Sequence, residues 1–429
     1  MRQGARAESG SSGDRPGRRP LRPVQRRLAI AAVVLAGVLV LAAVAGLLVV
    51  VRGPAGGVVQ LFAEGQRAER FRSLHDALPS HAIRAGDEPW AFERDERSLP
   101  SSYEYAGAER GVADFLRASE TTGLLVARDG VILHEAYFQG YDERSLPTSF
   151  SVAKSFVSAL VGIAVERGYV ASVEDAISDY VPALVGSPYE GVAIRDVLRM
   201  SSGVAFDERY DSLASDVMRL PLQLFVLRRS VEDVLRRLER ARSAGTVHAY
   251  VSSDALALGL LVTHATGRSL PAFLEETLWR PAGMEADAAW NTDLHGQALS
   301  HAFLSATLRD YARFGRLYLN EGRRDDRQVV PAAWVAASLR PTATRPPPEA
   351  QPAFGAGLDY GYQWWLADGS DGAFLAMGIW GQFIYVHPGL RVVIVKTSTD
   401  PGFAAREGET LALFGAIARA MGGAPAAAR

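Results

Sequence analysis

Cysteine is absent from this 429-residue chain, which excludes disulfides and thiolate metal sites. The same absence fits any compartment. Lysine is almost absent as well: of 46 basic residues only Lys154 and Lys396 are lysines, and the rest are arginine. The eight histidines show no metal-ligand spacing, and no His-Glu-x-x-His run occurs. No nucleotide-type glycine loop precedes a helix, and no repeat of useful length is visible. Neither metal nor cofactor is therefore expected. Net charge is small, −2 overall, but unevenly placed. Residues 1–27 hold eight arginines against Glu8 and Asp14, so the remainder is mildly acidic. That balance argues against nucleic acid as a partner. With 48% apolar residues, the chain can still bury a sizeable core.

One long hydrophobic run is present. From Leu28 to Val51 no polar or charged side chain occurs. As a helix this stretch spans a hydrocarbon core of about 30 Å. The arginine cluster precedes it and only Arg52 follows closely, so the positive-inside rule puts the N-terminus in the cytoplasm and the body outside. The expectation is a single-pass anchor over 28–51, with 1–27 as a disordered cytoplasmic tail. A cleaved signal ending near Ala43-Val44-Ala45 and a twin-arginine address at Arg26-Arg27 are the alternatives. Residues 52–104, with weak periodicity and several prolines, read as a linker and an arm that wraps the body.

Further on, apolar runs on either side of Asp129-Gly130 predict a hairpin from Leu124 to Phe138. Residues 151–168 predict a helix stopped by Gly168. Helix starts are expected at the capping boxes Ser172-Val-Glu-Asp175 and Ser230-Val-Glu-Asp233, and at Ala255 behind Ser253 or Asp254. Helices are also predicted over 306–319, 331–339 and 407–421, and a loop around Arg345-Pro-Pro-Pro348. Strand periodicity marks 360–366, 374–379, 382–387 and 391–397. The order of hairpin, helices, strands and last helix predicts an α+β fold. One antiparallel sheet is completed by both ends of the domain, with a helical region inserted between.

The chemistry begins at Ser151-Val-Ala-Lys154. Ser151 stands at a helix start, where free N–H groups favour developing negative charge. Lys154, three residues on, shares its face. A desolvated lysine can give up its proton and act as a base, which arginine cannot. A Gly245-Thr246 turn then leads to Tyr250. Beside an ammonium its phenol is expected to have a lowered pKa and to relay a proton. A Ser-x-x-Lys pair alone is common, and a single tyrosine at a helix entry is more often packing than chemistry.

The ordered set says more. Ser151-Val-Ala-Lys154, followed about a hundred residues later by Tyr250-Val-Ser252, resembles the penicillin-recognising serine hydrolases. These include class C β-lactamases, DD-peptidases and related esterases. Within them the stretches SFSVAKSFVSALVGIA, RMSSGVAFDERY, YVSSDALALGLL, YGYQWWL and GIWGQFIYVHP resemble the 6-aminohexanoate-dimer hydrolase branch. The resemblance implies a β-lactamase/transpeptidase-like domain over 105–422. It implies Ser151 as the acylated nucleophile and Lys154 with Tyr250 as the proton-handling pair. Ser252 stands where many relatives have Asn, as a hydrogen-bond donor to substrate. Tyr210 matches a tyrosine that closes over substrate in that branch; loop packing is its bland alternative. The third element falls at Ile379-Trp380-Gly381-Gln382, without the usual cation. There Gly381 would admit substrate, the Gln382 N–H would join that of Ser151 in an oxyanion hole, and Trp380 would offer a flat face. Lys396-Thr397-Ser398 is read as surface strand instead. The implied substrate is a small neutral ester or linear amide in preference to a penicillin. A membrane-anchored receptor for cell-wall fragments or β-lactams is the alternative from a different class.

Overall fold

A computed structural model describes residues 63–341, 355, 357–367 and 372–422. The tail 1–27, the apolar run 28–51 and the loop at 345–348 lie outside the described residues. Among the described residues no helix is long and apolar enough to cross a membrane.

The segment before the hairpin includes a short helix, α1 (Arg67–Arg72), and strands β1 (Ser80–Ile83) and β2 (Glu93–Arg94). The expected hairpin follows as β3 (Thr121–Arg128) and β4 (Val131–Tyr137). Asp129 and Gly130 both take positive φ, 48° and 83°, as a two-residue turn matched to strand twist requires. A 3₁₀ turn at Phe150–Val152 then leads into α2 (Ala153–Glu166). Beyond a helical region come α3 (Ser252–Thr266), β5 (Ala288–Asn291) and α4 (Leu308–Leu319). The chain closes with β6 (Asp359–Tyr360), β7 (Trp365–Leu366), β8 (Phe374–Gly378), β9 (Gln382–His387), β10 (Val392–Ser398) and α5 (Glu407–Met421).

The main sheet has eight strands in the order β6-β7-β8-β9-β10-β3-β4-β2. The last strands of the chain thus pair with the first hairpin, as both ends of the domain were expected to do. The sheet is not antiparallel throughout: Glu93 and Arg94 pair in parallel with Val131 and Ile132 at its edge. Seven of those strands form antiparallel pairs. Every residue of β8, β9 and β10 is buried, because helices cover both faces. On one face a Cβ on Gly315 of α4 would stand 2.7 Å from Val393 and 2.9 Å from Ile384, so glycine lets this helix approach closely. On the other, Phe414 of α5 packs edge-on to Phe383 at 5.4 Å. Helix α2 is buried from Ala153 through Ala164, with Lys154, Ser155 and Ser158 among the buried residues. Phe156 stacks on Phe314 with ring centroids 3.7 Å apart, joining α2 to α4.

Three local expectations need correction. Ser230 does cap a helix, with its hydroxyl accepting from the Asp233 N–H. Ser172 and Asp175 instead close a turn, Ser172 N–H donating to the Asp175 carboxylate, and no helix begins until Ile177. Helix α3 begins at Ser252, earlier than Ala255, with Val251 at its N-cap. The 360–366 run is two short strands, split where Gln363 takes a φ of 61°.

Candidate active site

Ser151 lies in the 3₁₀ turn ahead of α2, directly after Phe150, whose φ of 43° is unusual for a bulky residue. One helical turn on, the Lys154 Nζ donates to Ser151 Oγ at 2.7 Å and to the His301 carbonyl at 2.8 Å. Lys154 is 1% exposed. Burial pulls its ammonium pKa down to about 8, opposed by the Glu208 carboxylate. His301 itself is held neutral: burial and the Lys154 charge push its imidazole down to about 3.

Tyr250 reaches the same point from the N-terminus of α3. Its ring lies 5.0 Å from Lys154 Nζ, and its hydroxyl is in hydrogen-bonding reach of Ser151. Trp365 of β7 stacks on it at 5.3 Å and Tyr360 of β6 meets it edge-on, so the sheet edge fixes the ring. The expected lowering of its pKa is wrong in sign. Burial and the Glu208 carboxylate raise the phenol well above its ordinary value, outweighing Ser151. In so dry a corner the neutral form wins.

Glu208 is the residue sequence reasoning missed. It accepts the Ser252 N–H at 2.7 Å, the Ser252 hydroxyl at 2.6 Å and the Tyr210 hydroxyl at 2.5 Å. It thereby caps α3, which has no side-chain cap from its own N-cap residue. Its only sequence signal was membership of the RMSSGVAFDERY stretch. Ser252 and Tyr210 do come to the site, but both hydroxyl protons are directed at Glu208. Tyr210 is half-buried and Ser252 buried.

The third element is displaced from its expected place. Ile379, Trp380 and Gly381 form the turn between β8 and β9. The residue against the nucleophile is Gly378, the last of β8: a Cβ there would stand 2.5 Å from the Ser149 carbonyl oxygen and 3.0 Å from Ser151 N. Gly381 faces elsewhere, its missing Cβ leaving room for Ser398 Oγ and Lys396 Nζ. Gln382 belongs to β9, one strand further from Ser151. Its side-chain amide donates to the Ser398, Trp380 and Ile379 carbonyls, bracing the turn. Trp380 meets Phe71 of α1 edge-on at 5.7 Å and carries the Arg67 guanidinium over its ring at 5.3 Å. That ring is packing surface for α1. Lys396 is also not a surface residue. It is 1% exposed, between β9 and β3 on the face that α5 covers, because β10 is an inner strand. Among the described residues no group of side chains is arranged to hold a metal ion.

A buried Ser–Lys pair at a helix entry, a protonated tyrosine beside it, and an antiparallel sheet edge alongside define a serine hydrolase of the β-lactamase fold. Residues 103–416 match the Beta-lactamase family model, and the chain belongs to that family. It is 30% identical over 290 residues to the 6-aminohexanoate-dimer hydrolase of Paenarthrobacter ureafaciens, covering 66% of this chain and 73% of that one. A solved structure from Bacillus anthracis, assigned by name to the 6-aminohexanoate-dimer hydrolases, superposes with a TM-score of 0.75 at 23% identity. The match covers 84% of this chain and 96% of that one. EstCE1, a hydrolase with promiscuous acyltransferase activity, shares the fold with a TM-score of 0.55 at 13% identity, over 71% of this chain and 96% of its own.

Proposed function

We propose that this enzyme cleaves linear amides or esters through an acyl-enzyme on Ser151. The observation that carries the reading is the 2.7 Å contact between Ser151 Oγ and a buried Lys154 whose pKa is drawn down to about 8. A neutral Lys154 takes the Ser151 proton as Oγ attacks the carbonyl carbon. The oxyanion is held by the N–H of Ser151 and that of Ile379, which follows the glycine packed on Ser151. Tyr250 hands its phenolic proton to the leaving nitrogen or oxygen and is refilled from the Lys154 ammonium. Water then attacks the acyl-enzyme by the reverse proton route and releases the acid.

The substrate choice follows from what lines β8. Ala376 and Met377, ahead of Gly378, offer no cation to a substrate carboxylate. Burying a carboxylate unpaired costs several kcal/mol. A short neutral ester suits the site better than benzylpenicillin, and so does a linear amide such as the dimer for which the relative is named, whose carboxylate lies a methylene chain away from the scissile amide and can stay in water. Two measurements test the reading. Wild type should be labelled by a fluorophosphonate and Ser151→Ala should not; labelling that persists in the variant places the nucleophile elsewhere. In a side-by-side assay kcat/KM for the ester or dimer should exceed that for benzylpenicillin by about tenfold or more, about 1.4 kcal/mol; benzylpenicillin as the best substrate overturns the preference.

The location is proposed on the apolar run 28–51 and the arginines before it: a single-pass anchor with the hydrolase on the outer side. A reporter fused after residue 429 should be active only outside the cytoplasm, and the chain should fractionate with membrane. A soluble product beginning near Gly46 would make the run a cleaved signal.

A further inference from the structure

Two bulky residues with left-handed backbone flank the proposed oxyanion site. Phe150, φ 43°, immediately precedes Ser151; Trp380, φ 65°, immediately follows Ile379. Such conformations persist only where surrounding structure holds them. One side chain touches both. Phe71 of α1 is 2% exposed and meets Phe150 edge-on at 4.9 Å and Trp380 edge-on at 5.7 Å. Its carbonyl accepts the Thr148 N–H at 3.0 Å, which ties α1 to the strand of chain entering the nucleophile turn. Arg67, one turn earlier, lies over Trp380 and donates to Glu120 at 3.1 Å. Glu120 in turn accepts the Thr399 hydroxyl at 2.7 Å, and the neighbouring Asp400 N–H donates to the Trp380 carbonyl at 3.2 Å. Helix α1 is therefore braced against both halves of the site at once.

We propose that Phe71 is a positioning residue for hydrolysis: its ring, wedged between Phe150 and Trp380, sets the separation of the Ser151 and Ile379 N–H groups that bind the oxyanion. The inference rests on the acyl-enzyme reading above. Phe71 touches no reacting atom. Its loss acts on the transition state, where the oxyanion forms, and leaves ground-state binding in place.

The test uses full-length protein in detergent with a p-nitrophenyl ester. Phe71→Ala should lower kcat by about tenfold or more with KM within about twofold, and weaken inhibition by phenylboronic acid, a tetrahedral mimic, by a similar factor. Phe71→Leu, which refills part of the volume, should fall between the two. The alkaline rise of activity, set by Lys154, should stay at the same pH in both variants. A folded Phe71→Ala with kcat within about twofold of wild type, or with KM raised and kcat unchanged, overturns the proposal. Where the alanine variant does not fold, Phe71→Leu decides: kcat below about half at unchanged KM supports the wedge, and full kcat overturns it. Absence of fluorophosphonate labelling on wild-type Ser151 would instead bring down the acyl-enzyme reading, so the two failures are distinguishable.

Discussion

The two lysines of this chain occupy two buried corners with opposite character. Lys154 has a serine hydroxyl and a carbonyl within 2.8 Å, and the Glu208 carboxylate raises its pKa against the burial that lowers it. Lys396 is drawn down further, to about 7, by burial. The carboxylate that supports its charge, Asp400, is already ion-paired with Arg406, and Arg406 opposes the ammonium. Burial alone therefore does not single out the proposed base. What distinguishes Lys154 is an acid to deprotonate within hydrogen-bond distance and a hydroxyl relay beside it.

The largest effect should come from removing titration at the first corner while keeping its charge. Lys154→Arg should lower kcat/KM by about a hundredfold or more, because a guanidinium does not release its proton near neutral pH. In wild type, kcat/KM should climb as pH rises through about 8, where the Lys154 ammonium gives way to the amine. Near-normal activity in the arginine variant would make Lys154 a fixed charge.

A smaller effect is expected from the carboxylate that separates the corners electrostatically. Glu208→Gln keeps an acceptor for Ser252 but removes the charge that raises Lys154. The alkaline limb should move to lower pH, and kcat should fall by about tenfold as the α3 cap weakens and Tyr250 shifts. A limb that does not move would show that Glu208 does not reach Lys154 electrostatically.

The smallest effect on catalysis should come from the second corner. Lys396→Met should leave kcat within about twofold, since its ammonium lies behind the turn and away from Ser151. Its signature is in stability. The folded pKa of about 7 lies below the unfolded value, so between them the unfolded chain holds one proton more. Lys396 should therefore add on the order of 3 kcal/mol to wild-type stability as pH rises from about 7 towards 10, and the methionine variant should keep only the shallower rise that Lys154 contributes. Parallel denaturation curves at pH 7 and pH 9.5 for the two proteins would remove the contrast.

Those two corners also show where sequence reading stops. Both lysines stand out in an arginine-rich chain, and only Lys154 has a serine three residues before it. Lys396 was misplaced on the surface because nothing local says that β10 has a strand on each side and a helix over its face. Glu208 was missed for the same reason, being 44 residues from the helix it caps. Gly378 and Gly381 look alike in sequence, and only packing shows that Gly378, three residues earlier, meets the nucleophile's backbone.

What the sequence by itself determined is what short-range geometry controls. The Asp129-Gly130 turn, the β9 strand at 382–387, the 407–421 helix and the Ser151–Lys154 pair follow from turn stereochemistry and from periods of two and 3.6 residues. Tertiary structure alone decided the rest. It raised the Tyr250 pKa instead of lowering it, directed Ser252 and Tyr210 to Glu208, and brought Phe71 between Phe150 and Trp380. The reason is that proton affinity and side-chain position depend on how much water and charge remain nearby. That is set by segments tens to hundreds of residues apart, which carry no mark of each other until they pack.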